Sequence, residues 1–163
     1  MISCKLLYMN KKLPEWLGKR RIINSYFDNT STDIIKWEVL PIHNNQLIRV
    51  RFVSVNSEYR QGIVIGIYSG EGWLSVNGVT GRVFELWADE CPPEFEIECC
   101  SDCGFLSVYN MFEDNGWAGK RKNSQMDFSG MILEQHGNTF RYRCNNAELN
   151  QDFDKLVFEI ELV

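Results

Sequence analysis

The sequence predicts an all-β protein, an antiparallel β-sandwich or partly open barrel of about ten strands with at most one short N-terminal helix. Three observations predict it. Beyond residue 33 apolar side chains recur with a period of two, the spacing that lines one face of a strand. Turn-forming clusters interrupt these runs about every ten residues, as in small antiparallel folds. No helical period persists beyond a few turns, while aromatics reach 13%, a strand-favouring composition. With 163 residues the chain reads as one domain, 1–163. That length buries roughly two thirds of the unfolded surface, so neither a metal nor a disulfide is needed as a staple.

Taken in order, Lys5 to Met9 fits a first strand, and Leu13-Pro14-Glu15-Trp16-Leu17-Gly18 reads as a short helical turn with proline near its start and glycine closing it. Arg20 to Phe27 is open between helix and strand, and Asn29 to Asp33 is a loop by composition. Ile35, Trp37 and Val39 alternate with Lys36 and Glu38. Ile48, Val50 and Phe52 alternate with Arg49 and Arg51, and His43 to Gln46 between them has the length of a hairpin connection. Ile63, Ile65 and Ile67 lead through Ser69-Gly70-Glu71-Gly72 into Trp73, Leu74 and Val76. The Asn77-Gly78 turn then delivers the chain to a strand from Val83 to Trp87.

Cys91-Pro92-Pro93 breaks the pattern, because proline cannot donate to a ladder. Phe95 to Phe112 follows and reads as a β-hairpin: Phe95, Ile97 and Cys99 point inward, Glu94, Glu96 and Glu98 outward, and Ser101, Asp102 and Gly104 form the turn. Asp114 to Asp127 is non-periodic, polar and carries Lys120-Arg121-Lys122, which marks an exposed loop. Met131 to Gln135 pairs across His136-Gly137-Asn138 with Thr139 to Cys144. An Asn-rich, acidic connection then leads to Leu156, Phe158, Ile160 and Leu162.

The net charge of -5 conceals an asymmetry. Residues 1 to 60 carry ten Lys or Arg against five acids, whereas Val83 to Gly119 carries nine acids and no Lys or Arg. A segment so one-sided repels nucleic acid and attracts a cationic protein. Glu94, Glu96, Glu98, Asp102, Glu113 and Asp114, with Trp117 as an aromatic anchor at their edge, are therefore the candidate partner-binding residues.

Other chemistries find little to rest on. Cys100-Ser101-Asp102-Cys103-Gly104 is half of a zinc knuckle, but Cys91, Cys99, Cys144, His43 and His136 are scattered singles that supply no second pair. Adjacent Cys99 and Cys100 do not have the spacing of a disulfide framework, so reduced thiols are expected. There is no G-x-S-x-G and no recognisable nucleophile motif, and carboxylates at spacing two form a solvated strand face. The glycines punctuate turns without a following helix, so no phosphate loop is formed. An enzyme, a cofactor and a metal are not expected. Nor is a membrane span, since no stretch approaches ~20 apolar residues, and the N-terminus lacks the features of a secretory signal. A soluble cytoplasmic protein is the expectation.

Asp33 to Val55 (DIIKWEVLPIHNNQLIRVRFVSV) resembles the opening strands of all-β immunity proteins from bacterial polymorphic-toxin and contact-dependent inhibition systems. Ser129 to Asn145 (SGMILEQHGNTFRYRCN) and Phe153 to Leu162 (FDKLVFEIEL) are similar to bacterial proteins associated with the same systems. The resemblance implies a protein without catalytic activity that binds a cognate toxin domain and blocks it. Such families share no transferable binding residues, so the acidic surface, suited to a cationic and possibly nuclease toxin, is read from charge alone. The alternative is a small β-sandwich binding module for carbohydrate, on exposed Trp, or for a zinc ion at Cys100 and Cys103.

Overall fold

The computed structural model describes residues 21–163 apart from Asn29 and Leu149. The expected strand at Lys5 to Met9 and the helical turn at Leu13 to Gly18 lie outside the described residues. The segment left open between helix and strand contains both: a strand, β1 (Ile22–Ile23), and a 3-10 turn at Ser25–Phe27 whose start is capped by the Asn24 side chain. Twelve more strands follow: β2 (Ile35–Pro41), β3 (Gln46–Val55), β4 (Arg60–Ile67), β5 (Gly72–Val76), β6 (Val79–Gly81), β7 (Val83–Trp87), β8 (Glu94–Ser101), β9 (Phe105–Gly116), β10 (Gly119–Ser124), β11 (Gly130–His136), β12 (Thr139–Asn145) and β13 (Leu156–Leu162). All pair antiparallel. Eleven of them form one path, β6-β5-β8-β3-β13-β12-β11-β2-β9-β4-β7, a sheet nearly closed into a barrel, with β1 on β2 and β10 on β9.

The order of that path reveals how the chain is laid out. One end reads β6-β5-β8-β3 and the other, taken inward, β7-β4-β9-β2, so each strand of the first set is joined in sequence to the corresponding strand of the second. Four long antiparallel strands thus bend together across a common corner. Backbone bonds stitch the corner segments to one another: Ile42 N–H to the Gly104 carbonyl at 2.9 Å, Asp102 N–H to the Glu71 carbonyl at 3.0 Å, and Ile67 N–H to the Arg82 carbonyl at 2.9 Å. Arg82 also donates to the Gly70 carbonyl at 2.7 Å. Gly70 sits there at φ 72, where a Cβ would lie 2.1 Å from an Asp102 carboxylate oxygen, so only glycine fits.

Two expected hairpins are thereby corrected. β8 and β9 do not pair with each other: β8 lies between β3 and β5, and β9 between β4 and β2. β2 and β3 likewise belong to different arms of the bend. Period-two patterning fixes which face is buried, but it does not name the neighbour. The tight turns behave as expected. Asn77-Gly78, with both φ positive, joins β5 to β6 in the type I′ manner, and β11 pairs with β12 across Gly137-Asn138.

The three strands β11, β12 and β13 bridge the outer edges of the bent sheet, β13 pairing with β3 and Met131 of β11 with Ile35 of β2. Ile48, Val50, Ile63, Ile65, Leu74, Ile97, Cys99, Leu106, Val108, Tyr142, Phe158 and Ile160 all face the enclosed core. The side chains that the alternating pattern placed inward on β3, β4, β8, β12 and β13 are buried or partly buried.

β2 departs from its pattern. Ile35 and Leu40 both reach the core, an odd separation, and Glu38, expected to face outward with Lys36, is 1% exposed. The carboxylate is held by both Nε and an Nη of Arg21, each at 2.8 Å, by the Tyr142 hydroxyl at 3.2 Å and by the Val39 N–H at 3.0 Å. These four donors replace the water lost on burial. Removing the counter-ion leaves a buried charge unpaired. Arg21→Ala is therefore expected to cost about 3–5 kcal/mol in urea unfolding, and Tyr142→Phe, which loses one bond to a charged acceptor, about 1.5–3 kcal/mol.

Candidate functional site

The structure separates the sequence-predicted site residues into three places. Glu94, Glu96 and Glu98 point outward from β8 as expected, but they do not make a uniformly acidic face. Cross-strand register puts Arg51 opposite Glu94 and Arg49 opposite Glu96, and on the far side of β3 puts Glu159 and Glu161 of β13 against the same arginines. Arg51 bonds Glu94 at 2.8 Å and Glu159 at 3.3 Å; Arg49 bonds Glu96 at 3.1 Å and Glu161 at 3.0 Å; Arg141 of β12 adds 2.9 Å to Glu159. Acid and base alternate across four strands. The missing cations of the Val83–Gly119 segment come from elsewhere in the chain, which the charge count along the sequence does not reveal. Glu98, opposite Leu47 and Ser75, stands outside this ladder.

Asp102 is a corner residue. Its carboxylate accepts the Glu71 N–H at 2.9 Å while its own N–H donates to the Glu71 carbonyl, so it joins the corner turns of neighbouring bent strands.

Glu113, Asp114 and Trp117 do come together. Where β2 leaves the flank of β9, the chain from Asp114 to Ser124, expected as a loop, instead continues as a hairpin: Gly116 pairs with Gly119, Asn115 with Lys120, Asp114 with Arg121 and Glu113 with Lys122. Its pattern is hidden because solvent bathes most of β10, so no apolar alternation is required. Arg121 grips Asp114 with two bonds, at 2.8 and 3.2 Å, and this guanidinium holds the Asp114 carboxyl below its ordinary 3.8. Lys122 pairs with Glu85 of β7, and Lys120 reaches Glu113 at 3.7 Å. Trp117 occupies the two-residue tip and is 101% exposed, a bare indole in water.

Beside the base of this hairpin opens a cavity of about 530 Å³, within the ~300–1,000 Å³ of small-ligand clefts. Its walls include Glu58, Tyr59, Arg60, Gln61, Asp89, Glu113 and Lys120. Tyr59 stacks on Phe112 with centroids 6.1 Å apart, and Arg60 lies 4.3 Å over the Trp87 ring while bonding Asp89 at 2.9 Å and Glu90. Ser57 belongs to the same lining, and its hydroxyl accepts from Tyr59 N–H, Gln61 and Asn146 and lies 2.5 Å from Glu148. With its lone pairs and proton all engaged, that hydroxyl is a structural node rather than a nucleophile. Of these residues, the sequence reading named Glu113 as a candidate and Lys120 as part of the basic cluster. Ser57 and Tyr59 precede β4, Arg60 and Gln61 open it, Asp89 follows β7, and Asn146 and Glu148 lie between β12 and β13, where no motif marks them.

The cysteines divide in a way the sequence did not predict. Cys91, Cys99, Cys103 and Cys144 are free thiols, whereas Cys100 is disulfide-bonded, a state that reducing compartments oppose. The expectation of reduced thiols throughout is corrected at that position. Cys103 lies 3.2 Å from the Ser101 hydroxyl. Among the described residues no group of three or more His, Cys, Asp or Glu could hold a metal ion, and no helix is long and apolar enough to cross a membrane. Of the described tryptophans, Trp117 alone stands fully in solvent. No family model, no curated protein and no solved structure matches this chain.

Burial pushes the Cys99 thiol up from 9.0 to about 12 and raises Cys144 well above its ordinary value; Tyr142 is raised well above 10.0 by burial and then by the neighbouring Glu38. These groups ionise more readily in the unfolded chain. Their stabilising effect is complete below their unfolded values and is lost as the pH climbs past them. Urea unfolding is thus expected to show stability falling as the pH rises above 9, and Cys99→Ala with Cys144→Ala to flatten that decline. Charge reversal at Glu96, an exposed member of the ladder, is expected to cost no more than about 1 kcal/mol in the same assay.

Proposed function

We propose that this chain is a non-catalytic protein-binding domain, a toxin-neutralising immunity protein of the kind its strands resemble, and that it docks its partner through the β9–β10 hairpin. The observation that carries this reading is Trp117, wholly exposed at the tip of an ion-paired hairpin. An indole contributes nothing to this fold from that position and costs solvation, yet tryptophan is the side chain most enriched among interface anchors. The Asp114–Arg121 fork and the Lys122–Glu85 pair tie the arm to itself and to β7, so little conformational freedom is lost when it docks.

Charge supports a cationic partner. Around the hairpin base Glu58, Glu85, Asp89, Glu90, Glu113 and Asp114 outnumber Arg60, Lys120, Arg121 and Lys122, an imbalance that steers a basic domain toward this end. The docking surface moves from the β8 carboxylates, whose charge the arginines of β3 offset, to the hairpin end with Glu113, Asp114 and Trp117.

The test is capture of the product of the adjacent gene by the purified chain, followed by affinity measurement. Trp117→Ala is expected to weaken that complex by at least about 2 kcal/mol, some thirtyfold, with an unchanged melting temperature, while Glu96→Lys leaves affinity within a factor of a few. Raised salt is expected to slow association more than it speeds dissociation. Undiminished affinity in Trp117→Ala would remove the hairpin from the interface, and an adjacent product that is not captured would remove the immunity reading.

A further inference from the structure

We infer that Asn77 is a site of spontaneous covalent modification, at which the side-chain amide is lost as ammonia and the β5–β6 turn acquires a carboxylate.

The chain contains two Asn-Gly steps, Asn77-Gly78 and Asn115-Gly116. In such a step the following backbone nitrogen meets the asparagine side chain with least obstruction, because glycine has no Cβ and turns freely. At Asn77 the Gly78 nitrogen attacks the side-chain carbonyl carbon, gives up its proton to base and expels ammonia, closing a cyclic imide. Water then opens the ring at either carbonyl. One opening leaves aspartate; the other leaves isoaspartate, in which the main chain runs through the former side chain.

The two steps share their local chemistry and their exposure. Both asparagines lie in solvent, and neither side chain has a hydrogen-bond partner among the described residues. The backbone separates them. Gly116 ends β9 and pairs with Gly119, the closing position of a two-residue hairpin, where the partners exchange N–H and carbonyl bonds. Its nitrogen can attack only after the ladder opens. Gly78 stands inside the loop between Val76 and its partner Val79, so its N–H is left out of that exchange. It lies at φ 79 in solvent, and a Cβ placed on it would meet nothing within 4 Å, so base and water reach this nitrogen unhindered.

The place in the fold gives the reaction a consequence. β6 ends the path of the sheet and pairs with β5 alone. Either product adds a negative charge beside it. Isoaspartate also lengthens the backbone of a turn whose geometry suits a two-residue loop, which shifts Val79 out of register with Val76.

The experiment is peptide mass spectrometry of the full chain held in mildly alkaline buffer, folded and in urea. Trypsin cuts after Arg60, Arg82 and Lys120, so Asn77 and Asn115 fall in separate peptides. In urea the two are expected to convert at similar rates. In the folded chain Asn77 is expected to convert at least about tenfold faster than Asn115, which must wait for local opening. Isoaspartate is expected among the products at Asn77, since direct hydrolysis of the amide yields aspartate alone, and Asn77→Gln is expected to abolish the change in its peptide. A folded Asn77 no faster than Asn115 would overturn the inference, as would aspartate as the sole product or a change that survives Asn77→Gln.

Discussion

The fold depends on a shared bend. Four antiparallel strands turn together at the segments around Ile42, Gly70, Arg82 and Gly104, and each turn is hydrogen-bonded to the next. A single strand that bends leaves unpaired N–H and carbonyl groups at its kink, which is costly away from water. When neighbours bend in step, each supplies the other's missing partner. The bend converts one sheet into two facing arms, brings Ile48, Ile63, Leu74, Ile97 and Leu106 into one core, and leaves outer edges that β11, β12 and β13 can bridge.

The sequence made much of this legible. Outside β10 and the faces of β2, most strands, their inward faces and the Asn77-Gly78 and Gly137-Asn138 turns follow from local chemistry, because a period of two and a positive φ are properties of neighbouring residues. Partnership is not local. The connections at His43–Gln46 and Ser101–Gly104 are short enough for hairpins and serve as corners, since what decides between the two uses is an adjacent bend tens of residues away. Glu38 illustrates a second limit. A carboxylate beside Trp37 and Val39 reads as a solvent-facing residue until Arg21 and Tyr142 are known to reach it.

The candidate site shows the same division. Trp117 was visible as an aromatic at the edge of an acidic stretch, and the structure sets it in solvent at the tip of a hairpin held by the Asp114–Arg121 and Glu85–Lys122 pairs. The β8 carboxylates were visible as well, but their meaning changed once Arg49 and Arg51 lay across from them. Electrostatic readings taken along a chain treat sequence neighbours as spatial neighbours, whereas in a sheet the nearest charges belong to the adjoining strands. Tyr59 and Gln61, which wall the cavity, carried no signal in a single sequence.

The pairing of β13 with β3 has a consequence for how the molecule comes into being. Leu162 lies opposite Ile48, so the strand that closes the outer edge of β3 follows it, and the other eleven described strands, in synthesis, more than a hundred residues after its partner. During synthesis the bent arms can assemble while that edge stays open, with its backbone groups available to any extended chain nearby. The ladder of arginines and glutamates then has a second use. Two of its members, Arg49 and Arg51 on β3, wait on the unfinished edge as a charged border that disfavours pairing with a like strand and accepts the acidic one carrying Glu159 and Glu161.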